Sequence, residues 1–294
     1  MRVVSLLPSA TEIVYALGAE DDLVGVTFEC DEPVRARLDK TVVVGGRDTS
    51  AMSPAAIDTY VREQVAAGAD LYTLDAGALA SLDPDLILTQ DLCRVCALPS
   101  GQVDAALDHL GCTADVLSLD PYTLEEVLAS ITAVGDRLGV ADRAATLLAD
   151  LRRRLAVTAA AVADRPRPRV AVVEWIEPLF TGGHWIPDQV TAAGGQAVAA
   201  HPGQRSAVTD WTAVRDADPQ VVLVAPCGFG LDNAAAQATT VAERLPGRQV
   251  WALDGNALVV RPGPRLVDGV ETIAAILHPD AIGAPSAAAA RRVA

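Results

Sequence analysis

Short apolar runs alternate with amphipathic stretches from residue 2 to residue 119. The apolar runs predict buried strands, which we place at 2–6, 23–26, 41–46, 84–89 and 114–119. Between them apolar residues recur at helical spacing over 8–19, 54–69, 74–82 and 102–111. Strands that alternate with helices in this way predict an α/β fold, with a parallel sheet covered by helices on both faces.

Residues 123–165 have helical spacing, few helix breakers and no strand pattern. About 40 helical residues would span roughly 60 Å, which is too long for an ordinary helix that covers a sheet. We therefore expect one long backbone helix that joins two lobes, with Gly135 and Gly139 as the positions where it could break.

A second α/β pattern follows, and it repeats features of the first. The stretch DPDLILTQDLC (83–93) matches DPQVVLVAPC (218–227), and VLSLD (116–120) matches VWALD (250–254). The alternative is chance similarity between buried strands. We predict an N-terminal α/β lobe at 1–122, the bridging helix at 123–165, a C-terminal α/β lobe at 166–280 and a flexible Ala/Pro-rich tail at 281–294.

The loops that follow the predicted strands carry most of the candidate chemistry. Ligands of open α/β sheets bind outside the carboxyl ends of the strands, and two facing lobes would share a ligand cleft there. Polar and aromatic groups at these positions are typical of a small-molecule pocket. The candidate ligand-binding residues are Pro8, Ser9, Glu29, Asp31, Gln90, Cys93, Cys96, Glu174, Trp175, His184, Trp185, Cys227, Phe229 and Arg261.

The cysteine pattern leaves three interpretations open. Cys93 and Cys96, with Cys30, Cys227 or His184, have residue types suited to tetrahedral Zn²⁺ or iron ligation. A redox pair is the second interpretation, although such pairs begin a helix and this one runs into Pro99. Simple lining of a pocket is the third. The candidate metal ligands are therefore Cys93, Cys96, Cys227 and His184, of which His184 could equally be a structural histidine.

Composition and charge exclude several classes of function. The net charge of −15 argues against nucleic acid or an anionic membrane as a partner. No P-loop, GxGxxG, GxSxG or HExxH motif is present.

No signal peptide is visible after Met1 and no apolar run reaches about 18 residues, so we expect a cytoplasmic protein without membrane insertion.

Several segments together resemble a known family. They are VVSLLPSATEIVYALGAEDDLVGVT, LDPDLILTQ, FTGGHWIPDQVTAAGG and ADPQVVLVAPC, and the likeness runs from about residue 2 to residue 278. They resemble the cobalamin-binding branch of the periplasmic binding proteins of ABC transporters, the TroA-like class III proteins. The resemblance implies two α/β lobes joined by a rigid helix, a ligand clasped between them and no covalent chemistry. Relatives bind cobalamin, siderophores, haem or bare metal ions.

Two departures from that family bear on function. Members are exported, whereas no signal peptide is visible in this sequence. Each lobe of an exported member also carries a glutamate that docks onto the permease. The corresponding positions here hold Gly77 and Thr212, which argues against docking onto an ABC permease. The cysteine-rich segments also resemble a cytosolic subgroup that is labelled cobalamin-binding.

The leading hypothesis is a cytoplasmic small-molecule-binding protein whose ligand is cobalamin, a related corrinoid or a similar tetrapyrrole-sized molecule. Trp175 and Trp185 would provide flat apolar contact, and His184 or a cysteine would reach the metal. One alternative is an enzyme on the same scaffold, with Cys93, Cys96 or Cys227 as nucleophile or metal ligand. The other is the solute-binding subunit of an ABC importer.

Overall fold

A computed structural model of the chain describes residues 1–49, 51–92, 101–103, 107 and 113–294. The chain forms two compact units. The first contains Met1–Pro121 and Leu128–Leu148, and the second contains Tyr122–Val127 and Ala149–Ala294. No helix within the described ranges is long and apolar enough to cross a membrane.

The first unit contains a six-stranded sheet in the order β4-β3-β2-β1-β5-β6. Only β4 runs antiparallel to its neighbour. Apolar side chains of the strands form its core, in which Val4, Val43 and Ile87 are each at most 1% exposed. The strands are β1 Val3–Ser5, β2 Leu23–Thr27, β3 Thr41–Gly46, β4 Tyr72–Leu74, β5 Leu86–Thr89 and β6 Asp115–Ser118. The helices that precede residue 90 are α1 Pro8–Ala16, α2 Arg35–Asp39, α3 Pro54–Ala66 and α4 Ala76–Leu82.

The predicted single bridging helix is two helices, α5 Leu124–Arg137 and α6 Ala141–Val162. The break lies at Gly139, whose φ of +69° is a left-handed conformation that glycine adopts without steric cost. Gly135 stays helical and lets the two helices approach, because a Cβ there would lie 2.5 Å from the Cβ of Ala144. The stretch is therefore helical as predicted, and it breaks at Gly139, one of the two glycines at which the sequence allows a break.

The second unit contains a larger mixed sheet in the order β12-β8-β7-β13-β14-β15, with β10 also paired to β7. A separate two-stranded sheet joins β9 to β11. The strands are β7 Arg169–Ile176, β8 Leu179–Thr181, β9 Gly183–His184, β10 Gln196–Ala197, β11 His201–Pro202, β12 Ala207–Val208, β13 Val221–Val224, β14 Gln249–Leu253 and β15 Ala290–Arg292. The helices are α7 Ile186–Ala192, α8 Trp211–Asp216, α9 Leu231–Arg244, α10 Gly255–Leu258, α11 Leu266–Leu277 and α12 Pro279–Ile282.

The C-terminal segment is ordered, which corrects the predicted flexible tail. β15 pairs antiparallel with β14, and Arg292 lies opposite Trp251. The amide of Val250 donates to Ala294 O at 3.0 Å, and the amide of Val293 donates to Val250 O at 2.8 Å. The tail is held because it satisfies backbone groups that would otherwise lie open on the edge of β14.

The repeat in the sequence corresponds to equivalent positions in the two sheets. In the first unit β1, β5 and β6 are parallel neighbours, and in the second β7, β13 and β14 are. Asp83 and Asp218, which lead into β5 and β13, have left-handed φ values of 42° and 43°. The two Asp-Pro segments thus enter equivalent strands through the same local conformation.

Candidate ligand-binding site

The first-unit candidates follow the carboxyl ends of β1, β2 and β5. Ser9 and Gln90 are buried, with 3% and 6% of their surface exposed. Glu29 is half-buried after β2, and the Tyr72 hydroxyl donates to its Oε2 at 3.4 Å. Pro8, which begins α1, and Asp31 are also half-buried. Parallel strands bring these residues to one edge of the sheet, as the sequence predicts.

The cysteines do not form one group within the described part of the chain. Cys30 is fully buried, and its Sγ lies 3.0 Å from the Oγ1 of Thr11. Cys227 is exposed in the loop after β13. Cys93 and Cys96 lie outside the described residues. Among the residues that are described, no three His, Cys, Asp or Glu side chains are grouped as a metal site.

Aromatic side chains meet at the carboxyl edge of the second sheet. The rings of Trp175 and Phe229 are 5.7 Å apart and tilted by 36°. The indole N–H of Trp175 donates to Glu177 O at 2.9 Å. Cys227 lies beside them, because its amide donates to the carbonyl of Glu174 at 3.2 Å. Of this pair, Trp175 is half-buried and Phe229 is 7% exposed, so Trp175 offers most of the apolar surface at this edge.

Trp185 lies in a core environment. Its side chain is buried, with 5% exposed, and its indole N–H donates to Val259 O at 2.8 Å. A tryptophan whose ring is covered and whose N–H is satisfied belongs to the core. The expectation that Trp185 contacts the ligand with a flat face does not fit this burial.

His184 stands out by its backbone and its side chain. Its φ of +49° is unusual for a residue with a Cβ and carries a strain cost. The imidazole lies 5.5 Å from the rings of Tyr122 and Trp185. Its Nε2 is buried without a hydrogen-bond partner among the described residues. Burial, and then the positive charge of Arg205, lower the pKa of His184, so the ring is held in its neutral form.

Glu174 lies on β7 and binds Gly183, the residue before this histidine. Its Oε1 accepts hydrogen bonds from the amide of Gly183 at 2.9 Å and from the hydroxyl of Ser206 at 2.7 Å. Arg261, the last candidate, is half-buried after α10. In the second unit, the candidate residues therefore lie on β7, on β9, at the start of α7, in the loop after β13 and after α10.

Sequence reasoning missed three polar or aromatic residues of this region. Tyr122 contacts the ring of His184, Ser206 binds Glu174, and the side chain of Asn256 accepts from the amide of Gly228 at 3.0 Å. Tyr122 follows the VLSLD strand by two residues, so the strand-end rule that found the other candidates applies to it as well.

The model of the family described as "Periplasmic binding protein" matches residues 3–253. The chain belongs to this family. It is 26% identical over 289 residues to a cobalamin-binding protein of Halobacterium salinarum, covering 94% of this chain and 69% of that one. The structure of the periplasmic vitamin B12-binding protein BtuF of Vibrio cholerae has a TM-score of 0.67 at 25% identity, covering 94% and 96% of the two chains. A periplasmic heme-binding protein of Pseudomonas aeruginosa gives a TM-score of 0.69 at 25% identity, covering 100% and 95%.

This membership makes the protein a substrate-binding protein and corrects one expectation. We predicted a cytoplasmic protein because no export signal follows Met1, whereas the family and both structural relatives are named periplasmic. The cytoplasmic prediction was wrong, since the start of a sequence does not decide where its protein acts. The prediction of two α/β lobes of this family is confirmed.

Proposed function

We propose that this protein is the solute-binding subunit of an ABC importer and that its ligand is cobalamin or a related corrinoid. The observation that carries the proposal is the neutral imidazole of His184, whose buried Nε2 has no hydrogen-bond partner among the described residues. The Trp175–Phe229 ring pair of the same unit supports it. The relatives named for cobalamin and vitamin B12 support the same ligand class.

The chemistry of these residues suits a metal-containing macrocycle. A neutral imidazole nitrogen is a good ligand for cobalt or iron, and it requires no deprotonation near neutral pH. Aromatic rings cover flat apolar surface at low conformational cost. His184 would approach the metal or an acceptor group of the ligand through Nε2, while Trp175 and Phe229 would contact the macrocycle.

Docking onto a permease needs negative charge at the surface, and this chain has it close to the positions that lack glutamate. Gly77 and Thr212 lie in the first turns of α4 and α8, which occupy equivalent places in the repeat. The residues that cap those helices, Asp75 and Asp210, are both exposed. We propose that these two carboxylates replace the docking glutamates of the relatives.

Titration with hydroxocobalamin, followed by absorbance and calorimetry, tests the ligand. We expect micromolar or tighter binding, which His184→Gln and Trp175→Ala weaken, while the control His201→Gln leaves it unchanged. Hemin is titrated in parallel. No corrinoid binding at about 100 μM would overturn the ligand assignment, and binding of hemin alone would replace corrinoid with haem.

Uptake of labelled cobalamin by cells that carry the cognate permease tests the docking proposal. The double variant Asp75→Asn, Asp210→Asn should bind the ligand normally, because asparagine still caps a helix. It should nevertheless lose uptake. Normal uptake by the double variant would contradict the docking role of these carboxylates.

A further inference from the structure

Two chain segments next to His184 are in direct backbone contact. One contains Gly183 and the other runs from Gln204 to Ser206. A Cβ built on Gly183 would lie 2.3 Å from the amide nitrogen of Ser206 and 2.7 Å from Gln204 O. The two backbones are therefore in direct contact, which only glycine permits at this position.

His184 is fixed by its backbone on both sides. Its amide donates to Gln204 O at 2.6 Å, and its carbonyl accepts from the amide of Gly203 at 3.1 Å. A left-handed conformation at a residue with a Cβ persists only where its surroundings enforce it. The hydrogen bonds from and to Gln204 and Gly203 thus hold the φ of His184 in the left-handed region.

Glu174 connects the same two segments through its side chain. One carboxylate oxygen, Oε1, binds the amide of Gly183 and the hydroxyl of Ser206 at 2.9 and 2.7 Å. Hydrogen bonds to an ionised acceptor are stronger than neutral ones, so this oxygen is a strong polar connection between the two segments.

We propose that Glu174, predicted from the sequence as a ligand contact, is instead a positioning residue that holds His184 in its binding geometry. The role of His184 as a ligand contact rests on the proposed function, but its positioning by Glu174 does not. The arrangement resembles the outer groups that orient metal-binding histidines, in that the ring is aligned before the ligand arrives.

The test measures His184 in the ligand-free protein. Nitrogen and proton shifts of the imidazole are followed by NMR against pH, and the signal is assigned by its loss in His184→Gln. The wild-type pKa should lie below the ordinary 6.5. In Glu174→Ala the loop opens to water, so the pKa should rise toward 6.5.

Glu174→Gln separates positioning from charge. The glutamine oxygen can accept both hydrogen bonds, so this variant should keep the low pKa and the wild-type shifts. Ser206→Ala removes one of the two bonds and should give an intermediate change, which keeps the test usable if Glu174→Ala fails to fold. Glu243→Ala, at an exposed position on α9, is the matched control.

The proposal is overturned if Glu174→Ala and Ser206→Ala leave the pKa and shifts of His184 unchanged, or if Glu174→Gln changes them as much as alanine does. Binding of hydroxocobalamin is measured on the same variants. If the wild-type protein binds it, Glu174→Ala should weaken binding about 10-fold or more, as for other outer groups behind metal-binding histidines, and Glu174→Gln should not. If the wild-type protein does not bind it, the ligand assignment fails while the NMR result still decides the positioning role.

Discussion

Replacing Trp185 by phenylalanine tests whether this residue belongs to the core or to the ligand contact. The change removes the N–H that donates to Val259 O, and that carbonyl lies in a residue that is 1% exposed. A buried acceptor left without its donor costs about 1–3 kcal/mol. The lost ring volume, on the order of 40 Å³, adds roughly 1 kcal/mol if the cavity does not collapse. We expect a total destabilisation of about 2–4 kcal/mol.

Trp175→Phe is the matched control for this experiment. Trp175 is half-buried and donates to the exposed Glu177, and phenylalanine can still pack against Phe229. The Trp175→Phe substitution should therefore cost less than about 1 kcal/mol of stability. Urea unfolding is followed by far-UV circular dichroism, because a fluorescence signal would change with the tryptophans themselves.

The two variants should also differ in ligand binding. Trp175→Phe should weaken the binding of hydroxocobalamin more than it lowers stability, and Trp185→Phe should do the reverse. Trp185 would instead be a ligand contact if Trp185→Phe unfolds at the wild-type urea concentration and yet binds the ligand less tightly than Trp175→Phe.

Three further predictions concern the scaffold. Gly269→Ala should strongly destabilise the protein in thermal unfolding, because the new Cβ would lie 2.0 Å from Leu258 O. The control is Gly77→Ala, whose Cβ would meet nothing closer than 3.5 Å. That control should be neutral or stabilise the protein by about 0.5 kcal/mol. Removal of residues 284–294 should lower the melting temperature and cause self-association in light scattering, because it uncovers β14; a monomer of unchanged stability would contradict this. Hydrogen bonds from the amides of Ala213 and Thr212 hold the pKa of Asp210 below its ordinary 3.8. The ionised Asp210 should therefore stabilise the folded protein above pH 3.8, and this contribution should be lost as the pH falls through the pKa of Asp210 in the folded protein. The pH-dependence of unfolding should therefore be flatter in Asp210→Asn than in wild type, and an unchanged acid limb would refute it.

The strands β1, β2, β3, β5 and β6 were predictable because their apolar runs are bounded by turn residues, whereas the three-residue β4 was not among the predicted strands. The Asp-Pro segments at 83 and 218 were recognised as equivalent from the sequence, and the structure gives both aspartates the same left-handed conformation. The sequence names Gly135 and Gly139 as possible breaks of the long helix, but it does not decide between them, because the break depends on the backbone angle of Gly139. The pairing of β15 was not predictable from its Ala/Pro-rich linker, because the pairing depends on the free edge of β14.

The candidate site illustrates a sharper limit, in two adjacent residues. The strand-end rule selected His184 and Trp185 together, because it gives only the edge of the sheet at which a loop lies. The left-handed φ of His184 redirects the chain between them. The indole of Trp185 turns into the core and donates to Val259 O, while Nε2 of His184 has no hydrogen-bond partner among the described residues. The buried tryptophan therefore supports the histidine by ring contact, and the loss of ligand binding should follow His184 rather than its larger neighbour.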